Sequence, residues 1–154
     1  GSVTIEMLKK VCGKVNIDPA IEGILPSERA PKAPGMKYKH YAPKADMHIV
    51  RGSDEDVLRF FEEKIINSQY NIAIITVDEH YDRLKKLIRK GVKILSLGSL
   101  GDIKTIAHNL FDTLRLCDDL EVDFILCEAF CEYGLGKAVM NRLKKAAGYN
   151  IIDL

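Results

Sequence analysis

The sequence has almost no excess charge of either sign. Its 23 Lys and Arg stand against 22 Asp and Glu, a formal net charge of +1, which gives no whole-chain attraction to nucleic acid. Long apolar runs are missing as well. Runs such as Ile72-Ala73-Ile74-Ile75 are far shorter than the roughly 20 residues a membrane-spanning helix needs, so no membrane association is expected. No signal peptide is visible and Gly1-Ser2 reads as an expression scar, so the expected location is cytoplasmic. Cysteines are few and scattered. Cys127 and Cys131 form a C-x3-C pair while Cys12 and Cys117 stand alone, and none has a His at finger spacing, so no metal site is expected. His48, His80 and His108 are equally dispersed and read as surface or cap residues. There is no Ser-His-Asp spacing, no carboxylate pair in an apolar setting and no G-x-x-x-x-G-K-[ST] loop, so no catalytic residue is assigned.

What remains is the composition of a soluble globular protein. Apolar residues make up 47% and charged residues 29% of 154 positions, enough for one core-forming domain with an appendage. At the start, Met7, Leu8 and Val11 lie at helical spacing after Thr4, a candidate N-cap. This short helix has one apolar face and little around it to bury that face. Residues 13–32 lack periodicity and are rich in Gly, Pro, Asn and Asp, the signature of a loop.

From residue 46 onward strand and helix patterns alternate. Strands are expected at 47–50, 71–77, 92–97, 123–127 and 149–152. The intervening helices begin after Ser53, near Glu79 (running to Lys90 and ending at Gly91), after Asp102 and near Gly136. The third of these has Ile103, Ile106, Ala107, Leu110, Leu114 and Leu116 as its apolar positions. The 71–77 strand is apolar on both sides, as in a sheet covered on both faces. Such alternation predicts an α/β fold, a Rossmann-like doubly wound parallel sheet of about five strands in the order 3-2-1-4-5. Ligands of such sheets bind at the carboxyl ends of the strands where the order reverses, here beside the first and fourth. Two loops should meet there: Arg51-Gly52-Ser53, and the stretch 128–136 with Gly134 and Gly136, which opens a helix whose backbone N–H groups could face an anion. A tight turn explains the same glycines. Asn141 and Arg142 follow, beside the core positions Val139, Met140, Leu143 and Ala147, placed either for an interdomain contact or for solvation. Arg115, Asp118 and Asp119 read as a solvated charge cluster.

Residues 33–43, APGMKYKHYAP, combine three traits. They lack apolar periodicity, carry two Tyr, a Met, a His and two Lys, and have prolines near both ends. The prolines at 31, 34 and 43 fix φ and extend their predecessors, so a stiff strap is expected. Its aromatics could lie across a functional cavity or fill grooves on their own domain.

This run resembles the linker of two-domain L-threonylcarbamoyladenylate synthases, which join a YrdC-like catalytic domain to a smaller C-terminal one. A second match lies downstream: EYGLGKAVMNRL at 132–143 is similar to the family's EGLGxAVMNRL pattern, with Tyr133 as an extra residue. The resemblance implies three segments. Residues 1–32 would be the tail of a missing catalytic domain and a loop, 33–45 an interdomain linker, and 46–154 the C-terminal domain. It also implies that the whole protein condenses threonine, bicarbonate and ATP into threonylcarbamoyl-AMP for tRNA threonylcarbamoyladenosine modification, a nucleotidyltransferase reaction. ATP and its magnesium would sit in the missing domain, so this chain alone is expected to bind no cofactor and to be inactive. Lys37, Tyr38, His40, Tyr41 and Pro43 would belong to a lid over that cavity, while Ser53, Gly134, Gly136, Asn141 and Arg142 would make anion or interdomain contacts. Expected partners are the catalytic domain and the tRNA threonylcarbamoyl-transfer machinery. Two other readings stay open, an independent nucleotide-binding module and a protein-interaction domain.

Overall fold

The computed structural model describes residues 3, 5–15 and 42–154. The elements follow the chain as α1 (Ile5–Cys12), β1 (Asp46–Arg51), α2 (Asp54–Asn67), β2 (Ile72–Thr76), α3 (Asp78–Lys85), β3 (Val92–Ser96), α4 (Ile103–Asp119), β4 (Phe124–Glu128), α5 (Leu135–Ala146) and β5 (Ile151–Asp153). All five strands pair in parallel. Helix α1 buries none of its residues, and Met7, Leu8 and Val11 are exposed. The Thr4 cap lies outside the described residues.

Two helices of the sheet domain, α2 and α4, start on a side-chain cap. Ser53 caps α2 by accepting the Asp56 N–H at 3.3 Å, and Val57, Leu58, Phe61 and Ile65 supply its buried stripe. Asp102 caps α4 by accepting the Thr105 N–H at 3.3 Å. The two faces of the sheet fill separately. Helices α2 and α3 cover Val50, Ile72, Ile74, Val92, Ile94 and Leu126. On the other side α4 and α5 cover Met47, Ile49, Ala73, Ile75, Ile125 and Cys127. Every residue of β2 is buried, as its unbroken apolar run requires.

The strand order is β3-β2-β4-β1-β5, not the expected 3-2-1-4-5. β4 inserts between β1 and β2, and β1 moves outward to lie beside β5. The physical reason lies in the partners available. β5 has three residues and pairs only with Ile49, Val50 and Arg51 of β1, leaving the first half of its neighbour open. β1 can tolerate this because Asp46 is exposed and His48 half-exposed. β4 begins Phe-Ile-Leu-Cys and needs a full strand on each side, which β1 and β2 provide from Phe124 onward. A polar lock fixes the choice: Asp123 accepts the Asn71 N–H at 2.8 Å and returns its own N–H to the Asn71 carbonyl at 2.8 Å.

Two helix details also differ. α3 stops at Lys85 instead of reaching Lys90, because Arg89 turns back and donates to the Ile65 and Ser68 carbonyls at the end of α2. Gly91 still adopts φ +85°, serving the turn into β3. On α4 the buried positions beyond Leu114 include Cys117, while Leu116 is 43% exposed, since one face of a helix cannot hold both.

Candidate functional site

The outgoing loops of β1 and β2 turn toward the α2/α3 face, whereas that of β4, which lies between them, turns toward α5. Connections therefore diverge on both sides of β4, and a crevice opens at its carboxyl end. The expected meeting of β1 and β4 there holds in the observed order, with Val50 opposite Glu128.

Glu128 occupies the floor of this crevice. It is 4% exposed, yet it carries a carboxyl group. Its Oε2 accepts the Thr76 hydroxyl at 2.9 Å, and His80 Nδ1 lies 2.9 Å from the same oxygen. With the carboxylate ionised, that ring nitrogen is the donor. Burial pushes the Glu128 carboxyl above its usual range, the bond and charge of His80 and then the Thr76 bond pull it back, and Asp54 adds to the rise. His80 is thus buried in the first turn of α3, not a surface or cap residue. Its side chain points inward because the start of α3 sits directly above the end of β4.

Three successive residues of α3 fasten this edge. Asp78 accepts the Ser96 hydroxyl at 2.5 Å, Glu79 accepts the Ser99 hydroxyl at 2.5 Å and the Leu100 N–H at 3.0 Å, and His80 meets Glu128. The Ser99 bond, then that of Leu100, hold the Glu79 carboxyl below its ordinary value. Leu100 is thereby held at the rim of a cavity of about 40 Å³, which Gly52, Asp54, His80 and Glu128 also line.

The residues singled out from the sequence are placed as follows. Lys37, Tyr38, His40 and Tyr41 lie outside the described residues. Pro43 is half-buried, and the neighbouring Lys44 donates its N–H to Asp118 Oδ1 at 2.7 Å. Asp118, read from the sequence as part of a solvated cluster, thus anchors the root of the strap to the end of α4. That root lies at the amino edge of the sheet, a strand length of about 17 Å from the Glu128 crevice. Ser53 is committed to its cap, donating to Asp56 Oδ2 at 2.6 Å as well. Gly134 adopts φ 54°, ψ −126°, a conformation of II′-type turns that suits glycine. A Cβ on Gly136 would lie 2.1 Å from the Cys131 carbonyl oxygen, and its N–H already donates to the Tyr133 carbonyl at 3.0 Å. Arg142 stacks its guanidinium 4.7 Å from the Phe111 ring centroid, linking α5 to α4, and Asn141 beside it is half-buried. Ser53 thus opens α2, while the other four belong to the turn into α5 and to α5 itself.

Thr76, His80 and Glu128 escaped the sequence reading. A signal for two of them exists: Thr76 and Glu128 each end an apolar run, IAIIT and FILCE, at the carboxyl edge where sheet ligands bind. Among the described residues no group of three or more His, Cys, Asp or Glu could hold a metal ion, and no helix is long and apolar enough to cross a membrane.

Comparison with known proteins bears on the whole chain. The family model described as threonylcarbamoyl-AMP synthase, C-terminal domain, matches residues 3–148. Threonylcarbamoyl-AMP synthase of Pyrococcus abyssi is 40% identical over all of this chain, and that of Bacillus subtilis 35% identical over 99% of it. The chain spans only 42% and 41% of those two proteins. A crystal structure of Pyrococcus abyssi Sua5 complexed with L-threonine superposes with a TM-score of 0.82 at 39% identity, covering the whole chain and 42% of that structure. The chain belongs to the threonylcarbamoyl-AMP synthase C-terminal domain family.

Proposed function

We propose that this chain is the accessory C-terminal domain, with its linker, of an enzyme that makes threonylcarbamoyl-AMP from threonine, bicarbonate and ATP and releases pyrophosphate, for tRNA threonylcarbamoyladenosine modification. The observation that carries this reading is the family match across 3–148 together with relatives of more than twice the length. A relative solved with L-threonine supports threonine as a substrate of the whole enzyme. Nucleotide binding and adenylate transfer belong, in this reading, to the catalytic domain that precedes the linker. Among the described residues no group of three or more His, Cys, Asp or Glu could hold the magnesium that accompanies ATP. The setting is the cytoplasm, where ATP and tRNA meet, and the domain's partners are its own catalytic domain and the transfer machinery downstream.

The linker supplies the functional contribution of this chain. Threonylcarbamate is short-lived in water, so a segment that excludes solvent from the reacting cavity raises the yield of adenylate. In that role Lys37 and Lys39 neutralise phosphate charge, Tyr38, His40 and Tyr41 hydrogen-bond at the mouth, and Pro43 stiffens the hinge. The anchorage of Lys44 on Asp118 supports it by tying the strap's root to a rigid helix. The test is made in the full-length enzyme. His40→Ala and Tyr41→Ala should lower product yield more than ATP affinity, with domain stability changed by no more than about 0.5 kcal/mol. A large stability loss with intact turnover would show the strap to be structural.

A further inference from the structure

We propose that the groove between α4 and α5 binds a small nucleotide, with its phosphate among three basic side chains and its base on an apolar floor. The groove encloses a cavity of about 330 Å³, within the range of roughly 300–1,000 Å³ found for small-molecule sites. Its cause is local. Ala107 on α4 and Ala138 on α5 put only a methyl group each into the space between the helices, and Val139 adds apolar surface beside them. Lys104 and His108 lie one turn apart on α4, and Arg142 lies one turn beyond Ala138 on α5, so all three line the same groove. Their polar atoms are uncommitted. Among the described residues, the Lys104 ammonium, the His108 ring and the five N–H groups of Arg142 have no hydrogen-bond or ion-pair partner. Arg142 is nevertheless half-buried, and the Phe111 ring holds its guanidinium at 4.7 Å. Its plane is thereby positioned while its donors stay open.

Charge and surface together select the ligand. The whole chain is nearly neutral at +1, but α5 carries Lys137, Arg142, Lys144 and Lys145 and no Asp or Glu. On α4 the acidic groups nearest in the chain to Lys104 and His108 are Asp102 and Asp112. Asp102 is held by the Thr105 hydroxyl at 2.7 Å, and Asp112 is exposed and is not among the groups lining the groove. An anion therefore meets a local excess of positive charge. The floor asks for more than an anion. Inorganic phosphate would leave the Ala107, Ala138 and Val139 surface bare, and an uncharged nucleoside would leave the basic groups unpaired. A nucleotide answers both, because guanidinium forks onto phosphate and stacks on flat rings, while an ammonium adds a point charge. The site is built from α4 and α5 alone, so it neither needs nor tests the role proposed for the linker.

The experiment is a nuclear magnetic resonance titration of the whole chain at neutral pH and constant ionic strength. The separate probes are AMP, adenosine, sodium phosphate and a single-stranded hexa-adenylate. AMP should give saturable shifts at Ala107, Ala138 and Val139, with a dissociation constant of about 0.1–1 mM for a ligand held in an open groove. Adenosine and phosphate, each with half of the recognised chemistry, should bind at least tenfold more weakly. Arg142→Lys keeps the charge but loses the plane and the fork, and should weaken AMP at least fivefold. Lys104→Gln, an exposed change that leaves the core intact, should weaken it about threefold, which keeps the test open if Arg142→Lys disturbs the helix pair. Absence of saturable shifts with AMP, equal binding of adenosine or phosphate, or unchanged affinity in both variants would overturn the assignment. Hexa-adenylate binding more than tenfold tighter than AMP would overturn it as well, by showing a nucleic-acid surface instead.

Discussion

His80 and Glu128 stand 48 positions apart in the chain, and their side chains meet at 2.9 Å inside the protein. The contact joins the first turn of α3 to the last residue of β4. Both residues are more than nine-tenths buried, at 9% and 4% exposed. Thr76 still donates to Glu128 when the imidazole is gone, so the loss is one hydrogen bond to a charged group, about 1.5–3 kcal/mol. His80→Ala should therefore destabilise the domain by that amount or more, whereas Thr76→Val, which keeps the shape and removes one bond, should cost about 1 kcal/mol. Urea unfolding of both variants measures the difference, and equal small losses would show that the imidazole contributes only packing.

The pH dependence of stability has a definite sign. Burial raises the Glu128 carboxyl above its ordinary value of 4.5, so the folded protein holds a proton there more firmly than the unfolded chain. Its contribution is fully present below that ordinary value and is lost as pH rises through the raised one. Glu128→Gln removes this loss. The melting temperature of the variant relative to the parent should move in the variant's favour as pH rises from the ordinary carboxylate range toward neutrality. Glu79, lowered chiefly by the Ser99 hydroxyl, and Asp102, lowered chiefly by that of Thr105, act in the opposite sense. Their contributions are lost as pH falls, equally in both proteins. A relative trend running against the variant would contradict the burial argument.

The two glycines before and within α5 should respond differently to alanine. At Gly136 the added Cβ meets a backbone carbonyl at 2.1 Å, a clash that only movement of the Cys131 segment relieves. A loss of more than about 3 kcal/mol is expected. At Gly134 there is open space around the Cβ but φ is +54°, so the cost is backbone strain of about 1–3 kcal/mol. Chemical denaturation of the two single variants ranks them, and a larger loss at Gly134 would reverse this account.

The Asn71–Asp123 lock predicts a local effect. Asp123→Ala removes the acceptor of the Asn71 N–H, at a cost of about 1–2 kcal/mol. Amide exchange should quicken at Asn71 and Ile72, where β2 meets β4, while Ile94 on β3 keeps its protection. Uniform acceleration across the sheet would mean that the lock is not a local device.

By itself, the sequence determined which segments are strands and helices from residue 46 onward, because apolar periodicity and capping residues act over a few positions. Ser53, Asp102 and Gly91 were readable for that reason, as was the core face of α5 at Val139, Met140, Leu143 and Ala147. It also determined the family, through two motifs, one ahead of the domain and one within it. The end of α3 was misread because the competing partner, the carbonyls of α2 that draw Arg89 away, lies more than 20 residues upstream. Strand order was decided only in three dimensions. Apolar content alone does not decide which of β1, β2 and β4 lies between the other two, and what places β4 there is the shortness of β5 and the meeting of Asn71 with Asp123, 52 positions apart. The crevice of Thr76, His80 and Glu128 has the same origin. Each residue looks ordinary in its own segment, and only the packing of α3 over the ends of two neighbouring strands removes them from water together and gives their polar atoms one another as partners.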